Sequence, residues 1–428
     1  MTTLLKQSYQ LYADSLSGLS REIWMLTIVM FINRVGAMVL PFVSLYMTQD
    51  LGFSKDQTGT VLMCYGAGSL AGVFVGGKLT DKIGAWIIQV LSLLLTGIGF
   101  FVLREISSFE AFCVLYFCLC FVADTFRPAN MVSVGLLSKP ENRTRSMSLI
   151  RLAVNLGFGA GTAIGGFLAL YIGYNGLFVV DGVTCILAAF FFMAVIPHKR
   201  RTAAEKAADK VTKKAGKSPY TDKKFLLFGL MVFLTATVFM QLFATIPVYF
   251  KEVFLLNEGE IGLYMAFNCF LIVLVEMPII HQLELKNYSK LKMCAIGTML
   301  IMLGHIAFLL PGTPFILVLA YIIFITFGEV INFPFAAAYA LDASDPANRG
   351  DYMGLYGMVW AAAFIIAPKM GFYIADHYGW NALWWVVSGI ALAGGLGYWL
   401  LAKKVTVEQA SINPVPVSKE QLAISNEQ

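Results

Sequence analysis

The sequence predicts an all-α integral membrane protein with twelve spanning helices arranged as two parallel six-helix repeats. Three observations predict it. The 428 residues are 58% hydrophobic and 13% charged, against about 25% charged in an ordinary soluble domain. The apolar residues fall in blocks of about 20 or more, the length of a helix that crosses the hydrocarbon core. One short stretch occurs twice, as "SKPENRTRSMSL" from Ser138 to Leu149 and as "SDPANRGDYMGL" from Ser344 to Leu355.

The blocks lie at about 23–48, 57–80, 84–104, 109–133, 147–172, 175–197, 224–250, 259–282, 291–311, 314–340, 352–375 and 380–402. Alternating strands are absent, and backbone polar groups in lipid must be satisfied within their own segment, so the blocks are helices. The first is too long and too late for a cleaved signal peptide. Lys and Arg crowd one set of loops, including a dense run from Lys199 to Lys224, while the other set holds only Lys55, Arg104 and Lys251. That asymmetry orients both termini to the cytoplasm of a cell-membrane protein. The chain then divides into a cytoplasmic N-terminus (1–22), a first bundle (23–197), a basic cytoplasmic linker (198–223), a second bundle (224–402) and a polar, disordered tail (403–428). Beside a membrane, the linker's bases suit anionic lipid heads, at about 1 kcal/mol each, better than nucleic acid.

The repeated stretch aligns at an offset of 206 residues, and the register holds over about fifty. Pro128 meets Pro334, Pro140 meets Pro346, Asn142-Arg143 meets Asn348-Arg349, and Gly165 meets Gly371. Spans four to six and ten to twelve are therefore copies in parallel orientation, an architecture of secondary transporters with a site between the halves. Each repeated Arg sits where it can reach lipid phosphate or a carboxylate of a neighbouring loop.

Catalytic chemistry finds no footing. The seven cysteines lie in or at the edges of spans without metal-ligand spacing and read as apolar filler. No Ser/His/Asp constellation or phosphate-binding loop occurs. No cofactor and no metal are expected, and the chain is not read as an enzyme.

Two motifs carry a resemblance. "GSLAGVFVGGKLTDKIG" (68–84), at the cytoplasmic end of the second span, supplies Gly68, Gly77, Asp81, Lys82 and Gly84. It is similar to the signature of the major facilitator superfamily, although Ala85-Trp86 stand where that family has a basic pair. "GFGAGTAIGG" (157–166), with Gly157, Gly161, Gly165 and Gly166, resembles the fifth-helix motif of the drug/proton antiporter branch, with Thr162 in place of its proline. "YFCLCFVADTF" (116–126) lacks the arginine that branch has midway along its fourth helix. "NRVGAMVLPFVSLYMTQDLGFS" (33–54) looks somewhat like the first helix of proton-coupled peptide transporters, through its Arg and its "LYM…LGFS" exit. The resemblance implies a conformational latch around Asp81, Lys82 and Arg127, with the glycines packing helices closely.

Charges inside spans cost about 2.5–3.5 kcal/mol each at the centre and are functional candidates. Here they are Arg34, Asp124, Arg127, Glu276, Glu329 and Lys369. Counted along the helices, Arg34, Glu329 and Lys369 lie near mid-membrane. Asp124 and Arg127, three apart, can pair with each other, and Arg127 could instead pair with Asp81. Glu329 has no partner on its own helix, and burial favours the protonated form of such a carboxyl. Arg34, at similar depth, could pair with it. His305, alone on an apolar helix, is read as a packed histidine.

The expectation is a monomeric secondary active transporter working by alternating access. It would couple protons to export of small amphipathic or cationic compounds, with Arg34, Asp124, Glu276, Glu329 and Lys369 in the coupling or substrate cavity. Proton-driven uptake of small solutes such as peptides is the alternative. A non-transporting receptor or scaffold on the same fold is the reading from another class.

Overall fold

A computed structural model of the chain describes residues 19–138, 143–198, 218–286, 288–344 and 349–412. Most of the basic linker, the end of the tail, and the repeated loops at 139–142 and 345–348 lie outside the described residues. Among the described residues, twelve helical segments are long and apolar enough to cross a membrane. They are Arg21–Asp50, Lys55–Thr80, Ala85–Arg104, Phe109–Leu137, Leu149–Ile172, Tyr174–Val195, Lys223–Glu252, Glu258–Ile280, Lys290–Ala307, Pro314–Asp342, Asp351–Tyr378 and Trp380–Val405. The side on which the sixth span ends and the seventh begins is called the linker side below, and the opposite one the far side.

Three spans are broken. The first runs as Arg21–Val35, then Val39–Leu45 continued by a π-helical turn at Tyr46–Asp50. The seventh runs as Lys223–Phe239, a tight turn at Met240–Leu242, then Thr245–Glu252. Val39 and Thr245, which open the second pieces, stand 206 residues apart, so the repeat offset extends to these spans. The cause is shared. Pro41 and Pro247 are also equivalent, and a proline ring clashes with the carbonyl four residues before it, so the helix restarts with proline in its first turn. The fourth span breaks between Asp124 and Phe126, just ahead of Pro128, whereas its copy, the tenth, runs through Pro334. Gly173 and Gly379, which open the sixth and twelfth spans, share φ values of 83° and 84°. That conformation suits glycine, and its recurrence repeats the sequence copy in the backbone.

Small residues set the closest crossings. A Cβ on Gly68, Gly72 or Gly76 of the second span would run into the main chain of Phe117, Phe121 or Thr125 in the fourth. Gly77 meets nothing within 4 Å. The packing stripe is therefore 68, 72 and 76, one residue per turn, and Gly77 lies off it, contrary to the packing role the motif suggested. Gly157, Gly161 and Gly165 of the fifth span face Arg34, Val35 and Met38 of the first. On the other side of the same helix, Gly166 crosses Gly262 of the eighth span, and Gly159 packs against the side chain of Cys269. The fifth-span motif thus serves two interfaces, one within the first half and one between halves.

The cores differ between the two sides. On the far side one cluster of buried side chains runs through both halves, from Phe42, Tyr46 and Phe178 to Phe250, Tyr321 and Trp384. On the linker side the halves keep separate clusters, around Ile23, Val134 and Phe192 in the first and Phe228, Cys294 and Tyr398 in the second. Among the described residues, a shared apolar core therefore seals the halves together on the far side, which leaves the functional charges to be sought below that seal.

Candidate functional site: the seam and the buried charges

Polar contacts cross the seam on the far side. Ser54 caps the second span: its Oγ accepts from Gln57 N at 3.1 Å, and Gln57 Oε1 accepts from Ser54 N at 2.9 Å. The capped turn presents Lys55 and Asp56 to the second half. Lys55 Nζ lies 2.8 Å from Glu252 Oε2 at the end of the seventh span and 4.9 Å from the Trp380 ring. Asp56 Oδ1 lies 2.5 Å from Lys369 Nζ of the eleventh span, which also donates to Thr60 Oγ1 at 2.8 Å. Glu258 of the eighth span accepts from Tyr174 of the sixth at 2.7 Å and pairs with Lys251 at 2.7 Å. Lys369 is thus bound to the first turn of the second span, nearer the far side than counting along the sequence placed it.

The first half holds a cavity of about 120 Å³. Arg34, Tyr65, Asp124, Arg127 and Asp181 are among its lining residues. Asp124, 7% exposed, accepts from Ser69 Oγ of the second span and pairs with Arg127 Nε at 2.6 Å. The pairing expected on spacing forms. The alternative with Asp81 falls on a side chain outside the described residues, as do those of the repeated Arg143 and Arg349. Lys82 is exposed, and Gly84 turns the chain at φ 98°. Arg34 Nε is buried with no hydrogen-bond partner.

In the second half, Glu329 stands midway along the tenth span with Oε2 buried and without a hydrogen-bond partner. Among the described residues no ion pair joins it to Arg34. Glu276 of the eighth span pairs across the seam with Arg151 of the fifth. His305 is fully buried, donates from Nδ1 to Ile301 O at 2.9 Å, and packs on Tyr321 and Trp384, the packed role expected of it. No cluster suited to a metal ion occurs among the described residues.

The structure adds residues that the sequence reading passed over. Arg151 lies near the start of the block at 147–172, and Asp56 just ahead of the block at 57–80. Asp181, in the sixth span, is 1% exposed and accepts from Met38 N and Val39 N at 2.9 Å each. Its signal was available, since it is an acidic residue inside the block at 175–197.

Comparison with known proteins agrees with this architecture. The chain is 27% identical over 403 residues to the MFS-type transporter YttB of Bacillus subtilis, covering 92% of this chain and 99% of that one. It is 25% identical over 371 residues to the MFS-type transporter SLC18B1 of Rattus norvegicus, covering 80% and 79%. Among solved structures, that of the peptide transporter POT in complex with sulfate superposes with a TM-score of 0.75 at 17% identity, over 91% of this chain and 96% of that one. The profile of the Major Facilitator Superfamily matches residues 24–368 and, overlapping them, 315–423. With twelve spans, a doubled half and a family match over most of its length, the chain belongs to the Major Facilitator Superfamily and is a membrane transporter of that type.

Proposed function

We propose that the transporter couples protons to the export of small amphipathic or cationic compounds by alternating access, with Glu329 as the coupling carboxylate. One observation carries this: Glu329 Oε2 is buried at the middle of a span and has no hydrogen-bond partner. A carboxyl so placed favours its protonated form. A cation entering beside it favours the ionised form and expels the proton, which ties the two fluxes together by competition. The far side, with Lys55, Asp56, Glu252 and Lys369, is external in this reading, and both termini are cytoplasmic. The single shared core on the far side supports an inward-facing state.

The test is transport of tetraphenylphosphonium by the purified chain in proteoliposomes under an imposed pH gradient, in both directions. Wild type should move the cation against the proton flux. Glu329→Gln should bind it but fail to concentrate it. Uphill transport by Glu329→Gln with an unchanged pH dependence would remove Glu329 from the role.

A second reading, proton-driven uptake of small solutes such as peptides, is favoured by Arg34. Its buried, unpartnered Nε offers a donor to a carboxylate. Dialanine in the same vesicles decides between them: accumulation with the proton gradient selects uptake.

A further inference from the structure

The first span is held broken by one side chain. In a continuous helix, Met38 N and Val39 N would donate to the carbonyls of Arg34 and Val35, four residues back. Instead both donate to the carboxylate of Asp181, one to each oxygen, at 2.9 Å. Arg34 O accepts from Ala37 N at 3.1 Å, the tighter turn that ends the first piece. Gly36 lies directly against Thr184, one turn along the sixth span, so the break and the acid are held face to face.

The second half has no such acid. The offset that carries Val39 onto Thr245 carries Asp181 onto Val387. There the break is tied by the neutral amide of Gln241, which donates to Ala367 O at 3.0 Å and accepts from Thr245 Oγ1 at 2.8 Å. Both halves break at the same place, and only the first break depends on a group that titrates.

We propose that Asp181 is a positioning residue of the transport cycle: as a carboxylate it keeps the first span broken and so fixes where Arg34 enters the cavity. A carboxylate offers two acceptor oxygens, and both are used. With one N–H on each oxygen, an amide sets its NH2, and a protonated carboxyl its weaker-accepting hydroxyl, against one of the two N–H groups and weakens or breaks that bond. The freed N–H regains a partner only when the helix rejoins and its bond to the carbonyl four residues back re-forms, so the span then passes between two arrangements and opens these amides to exchange at each passage. The span therefore has two arrangements, broken and straightened. Arg34 sits within one turn of the break, so straightening turns its side chain relative to the cavity. The titratable and charged groups that line the same cavity are Arg34, Tyr65, Tyr116, Cys120, Cys185 and the Asp124–Arg127 pair. Arg127 is already engaged by Asp124, which leaves Arg34 as the lining cation without an ion-pair partner among the described residues. This inference rests on the carrier reading for its consequence in transport, but the clamp itself is tested without any substrate.

The experiment uses the full chain in lipid nanodiscs. Hydrogen–deuterium exchange of residues 36–45 reads the clamp, and phenylglyoxal labelling mapped by mass spectrometry reads Arg34, with Arg127 as internal reference. Asp181→Asn should speed exchange at Met38 and Val39 at least tenfold. It should change the Arg34 labelling rate several-fold and leave the Arg127 rate alone. Asp181→Glu, which keeps two acceptor oxygens, should restore most of both. In wild type, exchange at these amides normalised to the intrinsic rate, which itself falls on acidification, should rise as the pH is lowered, and in Asp181→Asn the normalised rate should stay constant. Unchanged exchange and Arg34 labelling in Asp181→Asn overturn the proposal. If Asp181→Asn loses protection along the whole chain, the wild-type pH profile decides, and a profile that follows intrinsic exchange alone overturns it. Failure of tetraphenylphosphonium transport with the clamp results intact would instead count against the transport reading.

Discussion

Lys369 reaches across the seam to Asp56: its Nζ lies 2.5 Å from the carboxylate and 2.8 Å from Thr60 Oγ1, tying the eleventh span to the first turn of the second. Both side chains are about one-third exposed, 32% for Lys369 and 35% for Asp56. Pairs of that kind contribute about 0.2–1 kcal/mol. A clasp this weak can hold one state and still release.

Asp56→Asn and Lys369→Met should each shift the population towards a state open on the far side by about two- to fivefold, the factor that ~0.5–1 kcal/mol gives. Spin labels placed at the far ends of the second and eleventh spans, read by electron–electron distance measurement, report the shift. The exchanged pair, Asp56→Lys with Lys369→Asp, should recover most of the closed population. A double variant no better than the singles would deny the clasp.

Glu276→Gln separates two carboxylates. Glu276 already has Arg151, whose side chain is 56% exposed, so removing the carboxylate leaves a guanidinium that water solvates. Gradient-driven transport should stay within about threefold of wild type, because a pair with one exposed partner contributes little and Glu329 is untouched. A loss as deep as that expected of Glu329→Gln would move the coupling role to Glu276.

Gly262→Leu should stop the cycle, because a Cβ there lies 2.7 Å from Thr162 O and 3.0 Å from the Cα of Gly166. Overpacking of this sort costs about 1–3 kcal/mol, borne at the interface between halves, so the chain should insert but fail to transport. Gly77→Ala, which meets nothing within 4 Å, should express and transport as wild type does. Measuring both by fluorescence size-exclusion and vesicle transport checks the contrast.

Topology is open to direct assay. A reporter fused near residue 210 should read cytoplasmic and one near residue 255 external, following the Lys/Arg asymmetry of the loops. The reverse pattern would invert the orientation and with it the direction of every flux considered above.

The twelve spans were legible because hydrocarbon demands long apolar runs, and these survive in composition alone. The copy of one half in the other was legible from Pro128, Pro334 and the shared "NR". What composition hides is where a span breaks. Pro41 and Pro247 are the signal, but a proline ends one piece of helix and begins another without a polar residue to mark the place. Pro334 shows that a proline in a span need not break it at all. Pairing across the seam was hidden for a different reason. Asp56 meets Lys369 across 313 residues of chain and Arg151 meets Glu276 across 125, distances over which local pattern carries no information. Gly77 was misread because the motif names it, whereas the period of the helix places Gly76 on the packing face.

The contact between Gly159 and Cys269 makes the chain its own reporter. Cys269 is 8% exposed and lies where the fifth and eighth spans meet, and only a thiolate, a species that forms where water reaches the sulfur, attacks an alkylating reagent at a useful rate. A thiolate formed at Cys269 attacks maleimide, so modification of this native thiol keeps time with the wetting of the interface: slow while the two helices are pressed together, fast whenever they part at that depth. Cys294 is buried among residues of the second half alone and serves as the unreactive control, while mass spectrometry separates the signal of Cys269 from those of exposed Cys118 and half-buried Cys64 and Cys113. The kinetics of one modification, followed without introducing any probe, thus become a clock for the opening of the carrier.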